Sequence, residues 1–374
     1  MLRVLKSFLF VFWLLLPLQV WATTTLYVDT DATSPTHPTY SSLEAAITYL
    51  QGYNGGALDD DFVIECTGAT ADSTPVVIEN ITTTTTYNLT IKQAATDEHG
   101  GTWNTNYYRV VMTTNDYAII IESLHVNIDG LQVEVQDDKS CIRIASVPSS
   151  SGNEGLYYFT NNIIRSTSLS NNYDKGIAID DTYLTVYAIN NIIYGFDNFS
   201  SDAAISTESK DYNTLYAYNN IFYDCNRGIL AGTETNTNVY AVNNAVIDAS
   251  TDFDGTYTTL DYNAGDDGSG TNAVTPTDWD AVFNDYANYD FTLIANSDLI
   301  DAGYDLSATF STDINGDTRS GTWEIGVYNY GATASGTQAK YYNGSSWIDA
   351  TPYRYDGSSW IEATENRYTG SAWE

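Results

Sequence analysis

Four stretches of this chain line up on a pair of adjacent asparagines, and the spacing of those pairs restricts the fold more than anything else in the sequence. They are Leu156-Tyr-Tyr-Phe-Thr-Asn-Asn-Ile-Ile-Arg165, Thr185-Val-Tyr-Ala-Ile-Asn-Asn-Ile-Ile-Tyr194, Thr214-Leu-Tyr-Ala-Tyr-Asn-Asn-Ile-Phe-Tyr223 and Asn238-Val-Tyr-Ala-Val-Asn-Asn-Ala-Val-Ile247. The first asparagines are Asn161, Asn190, Asn219 and Asn243, giving steps of 29, 29 and 24 residues. A weaker relative, Ile128-Asp-Gly-Leu131, precedes them. Between the pairs lies a second short apolar run: Gly176-Ile-Ala-Ile179, Ala203-Ala-Ile205 and Gly228-Ile-Leu-Ala231. No amphipathic helix separates these runs, which excludes a βαβ sheet with its helical crossover. Each repeat instead holds two or three short strands joined by tight turns. Stacked coil upon coil, such strands pair with their copies above and below. The expected fold class is all-β, a parallel β-helix.

Alternation along a strand assigns the facing. Tyr157, Val186, Leu215 and Val239 stand four before the first asparagine, and Phe159, Ala188, Ala217 and Ala241 stand two before it. With Ile164, Ile193, Phe222 and Val246 they are expected to fill the interior. The second asparagine of each pair (Asn162, Asn191, Asn220, Asn244) is expected to turn inward at a corner. There it can bond its copy one coil away, about 4.8 Å along the axis. A tyrosine stands three before every pair, at Tyr158, Tyr187, Tyr216 and Tyr240, and alternation places this row outside. Such a row can stiffen an exposed sheet face by cross-strand stacking. It can also offer a flat aromatic strip on which sugar rings stack.

Arg3 and Lys6 precede an apolar run from Phe8 to Val20, which ends in Val20-Trp-Ala22. This reads as a secretory signal peptide cut after Ala22. The run is short for a spanning helix and contains Pro17. The expected organisation is a signal peptide over 1–22, a β-helix over 23–331, a small-residue linker over 332–339 and an aromatic repeat tail over 340–374. The mature protein is expected outside the cell or on its surface, without membrane insertion. Only Ser41–Leu50 reads as helix, with apolar residues at 43, 46, 47 and 50, Ser41 as N-cap and Glu44 three residues on. A helix there would cover the open end of the coil stack.

With 14 basic against 48 acidic residues, the formal net charge is −34. Such a surface repels nucleic acid and anionic membranes. It also repels polyanionic polysaccharides unless divalent cations bridge the two. Cys66, Cys141 and Cys225 are too few and too far apart for a disulfide framework; they leave room for one bridge and suit buried free thiols better. His37, His99 and His125 show no zinc-ligand spacing and read as structural.

The opening segment Leu26-Tyr-Val-Asp-Thr-Asp31, the helix after it and the Asn-Asn coils resemble the secreted, pectate-lyase-like right-handed parallel β-helix proteins. The segment Asp290–Gly303, continued by Asp313-Ile-Asn-Gly-Asp-Thr-Arg319 and Trp323-Glu-Ile-Gly-Val-Tyr328, looks like the closing segment of bacterial surface members. The resemblance implies a right-handed coil. It implies little about function, because this fold hosts lyases, hydrolases, adhesins and phage tailspikes. Lyases of this kind hold calcium with carboxylates and abstract a proton with Arg or Lys; hydrolases use carboxylate pairs. The residues such chemistry could use here are Asp180, Asp181, Asp224 and Asp248, with Lys210 and Arg227 as bases. Asp224 and Asp248 share a register and are expected one coil apart. No catalytic motif of the family is matched residue by residue. Asp313, Asn315 and Asp317 put three oxygen-bearing side chains in one short segment, a candidate calcium site or a plain turn, although the EF-hand template does not fit.

The tail repeats Tyr342-Asn-Gly-Ser-Ser-Trp347, Tyr355-Asp-Gly-Ser-Ser-Trp360 and Tyr368-Thr-Gly-Ser-Ala-Trp373, with tryptophans 13 apart. Asn-Gly and Asp-Gly favour tight hairpins, so each copy is expected to form one small hairpin. Trp347, Trp360 and Trp373 suit glycan stacking or docking onto a partner. The function expected is that of an extracellular surface protein that binds polysaccharide, cell-surface glycan or a partner through the helix face and the tail, without catalysis. A polysaccharide lyase or glycoside hydrolase is one alternative, and a phage tailspike- or fibre-like protein is the other. Calcium is the one cofactor the sequence suggests.

Overall fold

The computed structural model describes residues 23–31, 39–137, 139–168, 174–207, 210–266 and 270–331, and in the tail 340–342, 347–349, 353–355 and 360–362. The signal segment, His37 and Trp373 lie outside the described residues. Three parallel sheets run side by side; among the described residues they have ten, seven and six strands. One coil runs through Gly155–Thr160, Ile163–Ser166 and Lys175–Ile179, one strand in each sheet. The next runs through Leu184–Ile189, Ile192–Phe196 and Ala203–Ser206. Equivalent residues pair directly, as in Tyr158 with Tyr187, Tyr187 with Tyr216 and Tyr216 with Tyr240. The chain folds as an all-β parallel β-helix.

The interior is as alternation dictates. Tyr157, Val186, Leu215 and Val239 are fully buried, as are Phe159, Ala188, Ala217, Ala241, Ile164, Ile193, Phe222 and Val246. Burial of each large aliphatic side chain contributes about 1.5–3 kcal/mol. Cys66, Cys141 and Cys225 are free and buried in the same core.

The helix, Leu43–Gly52, buries Leu43, Ala46, Ile47 and Leu50 at the N-terminal end of the stack. Its N-cap is Ser42 rather than Ser41: Ser42 has the extended backbone, and its hydroxyl accepts the Ala45 N–H at 3.2 Å. Glu44 does not close a capping box. Its carboxylate accepts the Val77 N–H at 2.9 Å and so ties the helix to the first coil.

Each asparagine of a pair has its own task. The inner ones form a ladder in which the Asn162 amide donates to Asn191 Oδ1 at 2.9 Å, Asn191 to Asn220 at 3.0 Å, and Asn220 to Asn244 at 2.9 Å. A fifth member, Asn263, continues it at 3.0 Å. The outer ones take left-handed φ of 57, 54, 52 and 60° at Asn161, Asn190, Asn219 and Asn243, a region asparagine tolerates better than most residues. The Asn161 amide donates to Asp129 Oδ1 at 2.8 Å, and the other three hold the closing segment. Asn190 donates to the Thr312 carbonyl at 2.9 Å, Asn219 to that of Gly326 at 2.8 Å, and Asn243 to that of Tyr304 at 2.8 Å.

In the tail, Lys340–Tyr342 pairs antiparallel with Trp347–Asp349, and Tyr353–Tyr355 with Trp360–Glu362. Tyr342 is opposite Trp347, and Tyr355 opposite Trp360. No helix among the described residues is long and apolar enough to cross a membrane.

Candidate binding face

The outward tyrosines Tyr158, Tyr187, Tyr216 and Tyr240 stack on one another. Successive centroids are 4.7, 4.6 and 4.9 Å apart, and the planes differ by 7, 16 and 18°. The spacing matches the coil rise, so Tyr187 and Tyr216 each have a ring on both faces and present their edges outward. One flank of the row packs against the closing segment, where Leu306 and Trp323 cluster with Ile189, Tyr218 and Val242. A second stack, not anticipated from the sequence, joins Tyr183 and Tyr212 at 4.7 Å and 2°. Both sit at left-handed φ, 58 and 61°, in the turns that lead into the strands bearing Tyr187 and Tyr216. The stacks lie four positions apart along the chain, roughly 13 Å of strand. Thr185 and Thr214, paired and half-buried, lie between them. Tyr212 is the most open ring of the set, at 43%.

The candidate catalytic residues fall in three separate places. Asp180 and Lys210 meet, with Nζ 3.4 Å from Oδ1. Arg143, absent from the sequence-based set, joins them through Nε, 3.0 Å from Oδ2. One carboxylate thus engages two cations from neighbouring coils. Asp181 is turned away from this group and accepts the N–H groups of Val147 and Thr182, each at 2.8 Å. Arg227 pairs with Asp254 at 2.6 Å.

Asp224 and Asp248 do stand one coil apart, in register with Gly195. All three have left-handed φ: 82° at Gly195, 51° at Asp224 and 53° at Asp248. The shared register is therefore a corner conformation that glycine and aspartate tolerate. Partial burial, then the carboxylates of Asp197 and Asp248, push the Asp224 carboxyl up; partial burial and Asp266 do the same at Asp248.

Asp313 is occupied by its own turn. Its Oδ1 accepts the N–H groups of Asn315 and Asp317, both at 2.9 Å, and its Oδ2 accepts that of Asn329 at 3.0 Å. Asn315 is exposed and Asp317 buried. Among the described residues, no group of three or more His, Cys, Asp or Glu side chains is placed to hold a metal ion. Of the tail tryptophans, the backbone places Trp347 and Trp360 at the inner ends of their hairpins.

No family model, no curated protein and no solved structure matches this chain.

Proposed function

We propose that this is an extracellular β-helix protein that binds neutral polysaccharide, without cleaving it, along the outer face of its ten-stranded sheet. The observation that carries the reading is the pair of tyrosine stacks flanking a threonine floor. Ring edges and the open Tyr212 ring offer apolar contact with a polar tip, and the threonine hydroxyls both donate and accept. Asp181 and Asp211 adjoin the turns that carry Tyr183 and Tyr212, and the whole chain is strongly acidic. Uronic polymers are therefore disfavoured. The engagement of Lys210 by Asp180 and of Arg227 by Asp254 supports a binding role over catalysis. The tail hairpins would add further aromatic contacts to the same ligand or fasten the protein to a partner.

The test is a panel of neutral and uronic polysaccharides, scored for both binding and chain cleavage, with and without chelator. Binding of a neutral polymer is expected, weakened about three- to tenfold by Tyr212→Ala or Tyr216→Ala. Cleavage of any polymer, or preferential binding of a uronic one, would overturn the reading.

A further inference from the structure

The threonine floor between the tyrosine stacks belongs to a longer row that runs along the helix axis. In register over four coils, the row is Leu156, Thr185, Thr214 and Asn238, all half-buried on the outer face of the ten-stranded sheet. One wall is the row of Tyr158, Tyr187, Tyr216 and Tyr240. The other stands two residues before the floor, where Tyr183, Tyr212 and Asn236 share a left-handed φ of 58, 61 and 56°. At about 4.8 Å per coil, four coils extend roughly 19 Å along the axis. The row stops at both ends. One coil toward the N-terminus the register falls on His125, which is buried. One coil past Asn238 it falls on Tyr257, whose hydroxyl turns to the Ile229 and Asp254 carbonyls at 2.9 and 3.2 Å.

The face is closed along the strands. Beyond the tyrosine row the next outward residues, Ile189, Tyr218 and Val242, are buried against Leu306 and Trp323 of the closing segment. A polymer lying along a strand would run into that segment, whereas one lying across the strands follows the floor. The Thr185 and Thr214 coils also present the same three groups, a threonine between two tyrosines. The two sets are displaced by one coil, with ring centroids 4.7 Å apart in one stack and 4.6 Å in the other. Neither threonine hydroxyl has a protein partner among the described residues. Each can donate and accept, as a sugar hydroxyl does. Equal sites related by a translation suit a ligand that repeats by the same translation. In a cellulose-type chain, with equatorial bonds at both ends of each ring, one ring advances by little more than one coil rise. A maltose-type chain curls and leaves the floor. Tyrosine on both sides of the two central coils leaves a branch no room there.

We infer that the ligand of this face is an unbranched, extended polymer that lies along the helix axis, with one sugar ring on each of four coils. The inference rests on the reading of the face as a neutral-polysaccharide site and adds the chain geometry that the site selects.

The test is calorimetric titration of the full protein with cello-, xylo- and manno-oligosaccharides of increasing length, and with maltooligosaccharides as bent controls. In at least one extended series, affinity is expected to rise about threefold or more per added ring up to the tetramer and then level off. The maltose-type tetramer is expected to bind at least about tenfold more weakly. Asn238→Trp fills the floor one coil past Thr214, and Leu156→Trp fills it at the other end. Each should weaken the tetramer about tenfold and leave the dimer, seated on Thr185 and Thr214, within about twofold. If one variant does not melt cooperatively, the other serves. Affinity that stops growing at the dimer, equal binding of the maltose-type series, or equal loss for dimer and tetramer in a cooperatively melting variant overturns the inference and leaves neutral-polysaccharide binding standing. Binding of a neutral polymer without binding of any oligomer does the same. Failure of every neutral oligomer and polymer to bind overturns both.

Discussion

The side-chain amide of Asn191 donates to Asn220 Oδ1 at 3.0 Å, and that same oxygen accepts the Asn191 backbone N–H at 2.9 Å. The second amide hydrogen of Asn191 goes to the Phe159 carbonyl at 2.8 Å. Its own oxygen accepts from Asn162 in the same double fashion. Every donor and acceptor of this fully buried amide is satisfied, so its desolvation is offset.

Asn191→Leu removes that amide. It strands the Asn162 backbone N–H and one of the two Asn162 amide hydrogens, the other still going to the Ile128 carbonyl, and takes a donor from the Phe159 carbonyl. At about 1–3 kcal/mol for each orphaned group, a loss of several kcal/mol is expected. Chemical denaturation checks it. A loss below about 1 kcal/mol would mean that water replaces the ladder bonds.

Asn219 ties the closing segment to the coils, donating to the carbonyls of Glu324 at 3.0 Å and Gly326 at 2.8 Å. Asn219→Ala should loosen that segment ahead of the coils, and it forces a left-handed φ of 52° on alanine. Hydrogen exchange should show Ile325–Val327 losing protection while Thr214–Tyr218 keeps its own. Uniform loss along the whole body would show the two parts unfolding as one.

His99 makes stability pH-dependent in a definite direction. Its folded pKa lies near 4, below the ordinary 6.5. Between those values the unfolded chain binds the extra proton, so stability falls as pH drops through the window. The full effect is about 3 kcal/mol. Raised carboxyls such as Asp202 and Asp313 act in the opposite sense. The measurement is therefore a comparison: wild type should lose more stability than His99→Asn between pH 6.5 and 4, the two values that bound the shift.

Cys66, Cys141 and Cys225 are free and fully buried, and burial pushes each thiol well up. The thiolate is the reactive species. A disulfide reagent such as Ellman's is expected to stay silent on the native protein and to titrate all three thiols after unfolding. Fast reaction of any one in the folded state would contradict the packing around it.

The period, the sheet face of each residue and the inner ladder were legible because identical residues recur at fixed offsets. Asn263 escaped because Tyr262 precedes it and breaks the doublet that marks the other rungs. The docking role of Asn190, Asn219 and Asn243 escaped because their partners lie more than 60 residues away, beyond any local spacing. Ser41 and Ser42 are equivalent as letters, and only the extended backbone of Ser42 decides the cap. The tyrosine row was legible as a register, but not the orientation of its rings, which side-chain torsions fix. Asp224 and Asp248 looked like a chemical pair in the sequence, whereas their left-handed φ makes the recurrence one of backbone geometry.

The inner ladder joins residues 29, 29, 24 and 19 apart, yet its amide contacts all fall between 2.9 and 3.0 Å. It thus fixes the height of a coil and leaves its contour free. Coil length can change at an exposed turn such as Thr233–Asn236 without altering the pitch. Lengthening a surface loop is itself cheap, about 0.6 kcal/mol per doubling. Surface loops on this scaffold can therefore diverge or take foreign peptide independently of one another, while the strands that carry the tyrosines keep their alignment.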